Sequence, residues 1–163
     1  MKIGIVSDTH DNKEKVEKIF MTFEKAGIKT VIHLGDLISP FVIEWIRDKY
    51  SKDLILIRGN NDGEFLFTLE KVKKYGYVYY EDPVIIELGG KRLAIMHKPI
   101  FIDEIASSSS IDYVLYGHTH KRVHKKIGKT LIINPGEACG YLTGVSTYVI
   151  LDIETGEVQF ERA

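Results

Sequence analysis

Short apolar runs typical of buried β-strands recur along this chain, and six of them end directly in a polar signature. The signatures are Asp8-Thr9-His10, Gly35-Asp36, Gly59-Asn60, His97, Gly117-His118-Thr119-His120 and Asn134-Pro135-Gly136. In open α/β sheets, functional sites gather beyond the carboxyl ends of the strands, so residues that follow different strands can converge. Aspartate, asparagine and histidine offer oxygen and nitrogen ligands for divalent metals. The repeated pattern therefore predicts one metal centre that is assembled from distant segments.

Each of these residues, taken alone, has a simpler explanation. A single aspartate at a strand end is commonly a turn residue or a helix cap, and a single histidine is commonly hydrogen-bonded or exposed. In this chain the simple explanation would have to hold seven times, at Asp8, His10, Asp36, Asn60, His97, His118 and His120. We therefore interpret the set as one shared site.

The local spacing also carries information about the site. Asp8 and His10 are two positions apart, so an extended segment would point both side chains the same way. A glycine precedes Asp36, Asn60 and His118, and glycine lets the backbone turn sharply and approach a neighbouring segment closely. We expect Thr119, which stands between two histidines, to point away from the metals.

The first half of the chain alternates strand and helix patterns, with strands predicted at Lys2–Ser7, Thr30–Leu34 and Asp53–Ile57. The first helix would be capped by Asp11, would bury Val16, Ile19, Phe20 and Phe23, and would stop at Gly27. The second would begin at Ser39-Pro40, run to about Tyr50, and bury Phe41, Val42, Trp45 and Ile46. The third would run from Gly63 to about Tyr75 and end at Gly76. This order requires parallel strands with right-handed crossovers.

The second half of the chain is dominated by hairpin patterns. Three hairpins are predicted: Val84–Leu88 with Arg92–Met96, Val123–Lys126 with Leu131–Ile133, and Thr147–Ile153 with Val158–Glu161. A short helix near Ile102–Ser107 and a strand at Tyr113–Tyr116 complete the set. Together the two halves predict an α/β fold, a four-layer αββα sandwich of two mixed β-sheets flanked by helices.

Composition excludes several classes of protein. The chain has 163 residues, with 22 basic and 23 acidic side chains, so its net charge gives no support for a nucleic-acid or membrane-surface protein. There is no apolar run of the roughly 18 residues that a membrane span needs, and the N-terminal segment resembles a strand rather than a signal peptide. One cysteine, Cys139, excludes an internal disulfide framework. We expect a single cytoplasmic domain over residues 1–163.

The order Asp-x-His, Gly-Asp, Gly-Asn-x-Asp, His and Gly-His-x-His resembles that of the calcineurin-like metallophosphoesterases. The chain's small size and its Asn-Pro-Gly-Glu segment make it similar to the compact YfcE-like phosphodiesterases of that superfamily. The resemblance extends from Lys2 to about Ile153. It implies a divalent-metal-dependent phosphodiesterase in which a metal-bridging hydroxide is the nucleophile and no side chain attacks phosphorus.

The resemblance also implies the division of ligands between two metal ions. One metal would be held by Asp8, His10, Asp36 and His120, and the other by Asp36, Asn60, His97 and His118. The carboxylate of Asp36 would bridge the pair, because a shared anion offsets the repulsion between two adjacent dications. The ligand types fit Mn²⁺, which we expect first, and also Ni²⁺, Fe²⁺, Zn²⁺ or Mg²⁺.

Catalytic and substrate-binding residues follow from the same resemblance. Asn61 and Arg58 are candidates for contacting the substrate phosphate, and we expect Asp62 to orient a ligand histidine. Many relatives carry a histidine in place of Asn61, and an asparagine cannot supply a titratable proton. Efficient hydrolysis of monoesters is therefore in doubt. Lys98 replaces a glycine found in relatives and adds a cation that could bind phosphate or lie in a solvated loop.

Other residues have structural explanations, and other functions remain open. We interpret His33 and Cys139 as buried structural residues and His124 as an exposed hairpin residue. The expected partner is a small phosphodiester or nucleotide-like substrate, not a long nucleic acid. The alternatives are a non-catalytic scaffold with this fold, or a phosphatase or nuclease acting on short nucleotides. Phe65-Leu66-Phe67 and Tyr77–Tyr80 could supply an interface between copies of the chain.

Overall fold

The computed structural model describes residues 1–163 as eleven strands and four helices. The strands are β1 (Lys2–Val6), β2 (Thr30–His33), β3 (Asp53–Ile57), β4 (Val78–Tyr80), β5 (Val84–Leu88), β6 (Lys91–Met96), β7 (Tyr113–Tyr116), β8 (Arg122–Ile127), β9 (Thr130–Pro135), β10 (Thr147–Asp152) and β11 (Glu157–Arg162). The helices are α1 (Lys13–Lys25), α2 (Phe41–Lys49), α3 (Phe65–Tyr75) and α4 (Ile102–Ser107). No helix is both long enough and apolar enough to cross a membrane.

The strands form two mixed sheets. The first has six strands in the order β11-β10-β1-β2-β3-β4, and the second has five in the order β5-β6-β7-β9-β8. Strands β1 to β4 are mutually parallel, as are β6, β7 and β9, whereas the hairpin partners run antiparallel. One apolar cluster fills the space between the sheets, and two more pack the helices against the outer faces. The predicted αββα sandwich is confirmed.

Helix α1 is amphipathic at the predicted positions but is capped by a different residue. Its four predicted apolar side chains are fully buried. The side chain of Asn12, not of Asp11, accepts the hydrogen bond from the backbone N–H of Lys15, at 3.3 Å. Asp11 instead accepts hydrogen bonds from the N–H and hydroxyl of Ser39, at 3.1 and 2.7 Å. Asp11 therefore ties the segment after β1 to the start of α2, and the predicted cap was wrong.

Helix α2 begins one residue later than predicted, at Phe41. Val42, Ile43 and Ile46 face the core, whereas the side chain of Phe41 is 64% exposed. Residues 42, 43 and 46 follow the spacing of one helical face, and position 41 lies outside that face. The prediction that Phe41 is buried was therefore wrong.

The strand β4 was missing from the sequence prediction. It pairs with β3 at the edge of the first sheet, and Tyr79 packs edge-to-face on Phe65 with ring centroids 5.9 Å apart. Tyr77, just before β4, is only 8% exposed, whereas Val78 is 42% exposed, so the interface expected at Tyr77–Tyr80 stays a prediction. Leu66 and Phe67, in contrast, are 73% and 58% exposed.

His33 is fully buried at the end of β2, as expected for a structural residue. Its Nε2 atom lies 3.1 Å from the hydroxyl of Thr9, and its Nδ1 atom accepts from the N–H of Gly35 at 3.2 Å. Burial lowers the pKa of His33 to about 3. The ring is therefore neutral, and it joins the segment after β1 to the segment after β2.

Candidate metal centre

The predicted ligands converge where strands from both sheets end. Asp8 follows β1, Asp36 follows β2, and Asn60 follows β3, while His97 follows β6 and the two histidines of the Gly-His-Thr-His signature follow β7. Backbone hydrogen bonds join these ends, from the N–H of Asp8 to the carbonyl of Gly35 at 3.0 Å and from Gly117 to His97 at 3.1 Å. The sheet topology thus assembles residues that are up to 112 positions apart (120 minus 8).

The backbone at the site is not extended, contrary to the prediction for Asp8 and His10. Five of the seven predicted ligands have left-handed φ values: Asp8 (55°), His10 (40°), Asp36 (58°), His118 (63°) and His120 (59°). Residues other than glycine rarely adopt this backbone conformation, and those that do cluster at functional sites. The tight turns, rather than strand periodicity, therefore direct these side chains to one point.

Two glycines are required by close packing of the segments that carry the ligands. A Cβ atom at Gly59 would lie 2.0 Å from the backbone nitrogen of Asp36. A Cβ atom at Gly117 would lie 1.9 Å from the hydroxyl of Ser7. Both distances are shorter than any allowed contact, so these two positions have space only for glycine. The predicted close approach is confirmed.

The first group of ligand atoms comprises one oxygen of Asp8 and the Nε2 atoms of two histidines. The Oδ1 atom of Asp8 lies 3.8 Å from Nε2 of His10 and 3.4 Å from Nε2 of His120. His10 Nε2 also lies 3.5 Å from Oδ2 of Asp36. Asp8 Oδ1 and His10 Nε2 are buried and have no hydrogen-bond partner. Because leaving buried polar atoms unpaired is costly, this cluster fits a bound cation.

The second group lies on the other side of the same carboxylate. His97 Nε2 is 3.4 Å from Oδ1 of Asp36 and 2.9 Å from Oδ1 of Asn60. The other ring nitrogen of His97 lies 2.7 Å from the carbonyl oxygen of Leu34, and donation there leaves Nε2 free to bind a metal. The ring of His118 lies beside that of His97, with centroids 5.1 Å apart. Asp36 therefore presents Oδ2 to one group and Oδ1 to the other.

The electrostatics favour an ionised Asp36. Burial raises its pKa, but the adjacent ring of His97 and the hydrogen bond from the backbone of Asn61 outweigh burial and hold the pKa well below its ordinary value. The nearby carboxylate of Asp8 raises the pKa of His10. Burial lowers the pKa of His118. Asp36 therefore stays charged at neutral pH, as a cation site requires.

Glu137 is the one residue of the site that the sequence analysis did not select. Its buried carboxylate accepts from Nδ1 of His120 at 2.6 Å and from the hydroxyl of Thr143 at 2.6 Å, and the backbone N–H of Leu142 donates to it as well. Burial raises the pKa of Glu137, but these donors hold it at about 2. The charge fixes His120 with Nε2 towards Asp8. The signal was present, since Glu137 follows a glycine at the end of β9.

Asp62 has a different role from the predicted one. Its two oxygens accept from the backbone N–H groups of Ile38, at 3.0 Å, and Gly59, at 2.6 Å, and it makes no hydrogen bond to a histidine. Burial raises the pKa of Asp62. The residue therefore holds the segment after β2 against the segment after β3, and the prediction that it orients a ligand histidine was wrong.

Asn61 donates from its amide to Oδ2 of Asp36 at 2.8 Å.

The candidate phosphate contacts Arg58 and Lys98 lie together beside the second ligand group. They line a cleft of about 200 Å³ that also contains Asn60 and His97. The guanidinium of Arg58 is 3.6 Å from the carboxylate of Glu81 and lies over the ring of Phe65. The ammonium group of Lys98 makes no ion pair, although its backbone N–H donates to Asp82 at 3.3 Å, so Lys98 is the less neutralised cation of the two.

The remaining expectations concern residues around the site. The hydroxyl of Thr119 lies 3.1 Å from the amide nitrogen of Asn134, which donates to it, so Thr119 serves the loop rather than the ligand cluster. His124 is exposed and Cys139 is buried, as predicted. Burial raises the pKa of Cys139 to about 12, so its thiol is protonated and unreactive at neutral pH.

Comparisons with known proteins give a consistent family. A sequence profile described as the calcineurin-like phosphoesterase superfamily domain matches residues 1–156. A phosphodiesterase of Methanocaldococcus jannaschii is 39% identical over 160 residues, which is 96% of each chain. The phosphodiesterase YfcE of Escherichia coli is 24% identical over 149 residues, covering 83% of this chain and 78% of that one.

Solved structures give the same result for the fold. The structure of an archaeal phosphodiesterase is 38% identical and superposes with a TM-score of 0.93, covering 100% of both chains. The zinc complex of Vps29 from Entamoeba histolytica superposes with a TM-score of 0.66 at 18% identity, covering 100% of this chain and 98% of that one. At this lower identity the similarity shows a shared fold only.

Proposed function

The chain belongs to the calcineurin-like phosphoesterase superfamily, and we propose that it is a phosphodiesterase that uses two divalent metal ions. One observation carries the proposal: Asp36 points its two carboxylate oxygens at two separate groups of nitrogen and oxygen ligands. A structural ion pair would need only one such group. A carboxylate between two ligand groups is the arrangement that a two-metal site requires.

The ligand division follows the two groups. The first metal would be held by Asp8, His10, Asp36 and His120, and the second by Asp36, Asn60, His97 and His118. When bound, the two ions supply a water of lowered pKa and offset the charge that develops on the phosphoryl oxygens. Nitrogen and oxygen ligands without a thiolate fit Mn²⁺ and several related ions.

The protein's own groups have positioning roles in this proposal. Glu137 holds His120, and the carbonyl of Leu34 holds His97, so that each Nε2 atom is aimed before a metal binds. Asn61 and Lys98 lie where they can contact the substrate phosphate. Cys139 lies beside His120 and Glu137, but its thiol is buried and protonated and so is unsuited to act as a nucleophile.

Two other functions are weaker on specific grounds. A non-catalytic scaffold has no need for a complete ligand set, and this chain brings all seven candidate residues together. A nuclease of long nucleic acids needs a continuous basic groove, which a chain of 22 basic and 23 acidic residues does not favour. The expected partner is therefore a small phosphodiester, and the single buried cysteine is compatible with the expected cytoplasmic location.

The direct test is hydrolysis of bis(4-nitrophenyl) phosphate by protein stripped with a chelator and then given single metals. We expect no turnover without metal and turnover with Mn²⁺. We also expect a steep dependence on the leaving group, because Asn61 cannot donate a titratable proton to it. Phenyl esters should therefore react far more slowly than nitrophenyl esters. Metal-independent turnover, or none with any metal, would refute the proposal.

The variant Asn61→His supplies the matched comparison for the leaving-group effect. A histidine at this position could protonate the departing oxygen, an effect worth roughly 10²-fold or more for a poor leaving group. The gap in rate between phenyl and nitrophenyl diesters should narrow in the variant, with little change for the nitrophenyl ester. An unchanged gap would show that the missing acid does not limit this enzyme.

A further inference from the structure

A second cleft, of about 480 Å³, opens beside His120 and shares no lining residue with the cleft that contains Arg58 and Lys98. It lies between β8, at the edge of the second sheet, and β11, at the edge of the first. His120 belongs both to this cleft and to the first ligand group. A molecule bound at the metals could therefore extend directly into the cleft.

The cleft is lined by cations that nothing in the protein neutralises. The two cations, Lys121 and Arg122, line it together with the ring of His124, and no aspartate or glutamate does. None of these three side chains makes an ion pair or a hydrogen bond, and Lys121 and Arg122 are exposed. On the same strand, by contrast, Lys125 pairs with Asp103 at 3.1 Å. The cations that face the cleft thus keep all their donor groups free for an external anion.

The position of Arg122 is fixed by an aromatic neighbour and not by an acid. Its guanidinium carbon is 5.9 Å from the centroid of the Phe160 ring, and the ring of His124 lies 6.4 Å from the same centroid. Residues 122 and 124 share one face of β8 because side chains alternate along a strand. An arginine held over a ring, with its fork of N–H groups unoccupied, is well suited to bind a phosphate.

We infer that this cleft binds a second phosphate group on the substrate, so that the preferred substrate class is a phosphodiester whose substituent carries another phosphate. Arg122 is the residue that determines this preference, and Lys121 adds to the positive charge at the mouth of the cleft. The inference rests on the proposed phosphodiesterase function for the scissile phosphate. To that function it adds two properties of the substrate: its substituent lies in the cleft beside His120, and that substituent is negatively charged.

The test uses two substrates that release the same nitrophenolate. These are thymidine 5′-(4-nitrophenyl phosphate) and the same compound with a 3′-phosphate. The Mn²⁺-loaded wild-type protein should have at least a tenfold higher kcat/KM for the phosphorylated substrate, the size expected of one charge-assisted hydrogen bond to the added phosphate. In Arg122→Ala this preference should be mostly lost and in Arg122→Lys partly kept. Turnover of bis(4-nitrophenyl) phosphate should be unchanged in both.

Lys125→Ala is the matched control, because it removes one positive charge from the opposite face of the same strand. It should keep the wild-type preference for the substrate with the 3′-phosphate. If Lys125→Ala loses as much of this preference as Arg122→Ala does, the preference depends only on net charge and the inference is overturned. Equal kcat/KM for the two substrates in the wild type would also overturn it, even if both are hydrolysed.

A binding measurement separates this inference from the proposed function. Calorimetry would compare thymidine 3′,5′-bisphosphate with thymidine 5′-phosphate on the metal-loaded protein, wild type and Arg122→Ala. If no diester is hydrolysed, the phosphodiesterase proposal fails. The second-phosphate site is then still supported if the wild type binds the bisphosphate at least tenfold more tightly than the monophosphate and Arg122→Ala does not. Equal affinity of the wild type for the two compounds would overturn the second-phosphate site on its own.

Discussion

Asp36→Asn should lower kcat for bis(4-nitrophenyl) phosphate by at least about 10³-fold, because it removes the charge shared by both metal positions while keeping the side-chain shape. Oδ1 and Oδ2 of Asp36 lie 3.4 and 3.5 Å from ligand nitrogens of the two groups. A neutral amide cannot offset the repulsion between two dications. Steady-state kinetics at saturating Mn²⁺ would measure the loss.

The same variant should lose the stabilisation that metal gives without losing the fold. A metal at 100 times its Kd stabilises a folded protein by about 2.7 kcal/mol, and this increment should shrink strongly in Asp36→Asn. The metal-free variant should still fold but should be less stable than the metal-free wild type, because an amide at position 36 cannot accept from the Asn61 backbone and side-chain donors with both of its atoms, as the ionised carboxylate does. Asp53→Asn, at the opposite end of β3, is the control and should behave as wild type. Near-normal turnover in Asp36→Asn would contradict the proposal that Asp36 is shared by both metal ions.

Glu137→Gln should weaken Mn²⁺ binding at the first site by about 10- to 100-fold, the range typical of residues that orient a metal-binding histidine. The carboxylate accepts from His120 and also from three donors of residues 142 and 143. An amide turned to accept from His120 would place its own N–H₂ group against those donors. The ring of His120 would then lose its fixed orientation, and a two-step metal titration would measure the change in affinity.

The second metal position serves as the internal control for Glu137→Gln. It depends on Asn60, His97 and His118, none of which contacts Glu137, so its affinity should change little. If both affinities fall together, Glu137 supports the loop generally and does not act through His120. If neither falls, the role assigned to Glu137 is wrong.

Much of the site could be predicted because each candidate metal ligand can be recognised from the few residues that precede it. Asp8, Asp36 and His97 each follow a recognisable buried strand, and parallel strands deliver their ends to one edge. The order of strands and helices in the first half, and of hairpins in the second, was enough to predict two mixed sheets. The need for glycine at positions 59 and 117 was also visible, since each precedes a ligand at a strand end.

What the sequence did not reveal depends on contacts between segments that are distant in the chain. The left-handed turns at Asp8 and His10 are imposed by hydrogen bonds to the segment after β2, and no local preference of aspartate or histidine predicts them. Glu137 was missed because its partner, His120, is 17 residues away in the loop between β7 and β8. The exposure of Phe41 follows from which side of α2 faces the sheet, a choice made by packing.

The proposed two-metal centre requires Asp36 to contact both metal ions at once. Anomalous diffraction from a crystal soaked in Mn²⁺ tests this most directly. We predict two anomalous peaks roughly 3.5–4 Å apart, one next to His10 and His120 and the other next to Asn60 and His97, with Asp36 between them. A single peak, or two peaks of which only one lies within bonding distance of Asp36, would contradict the shared centre.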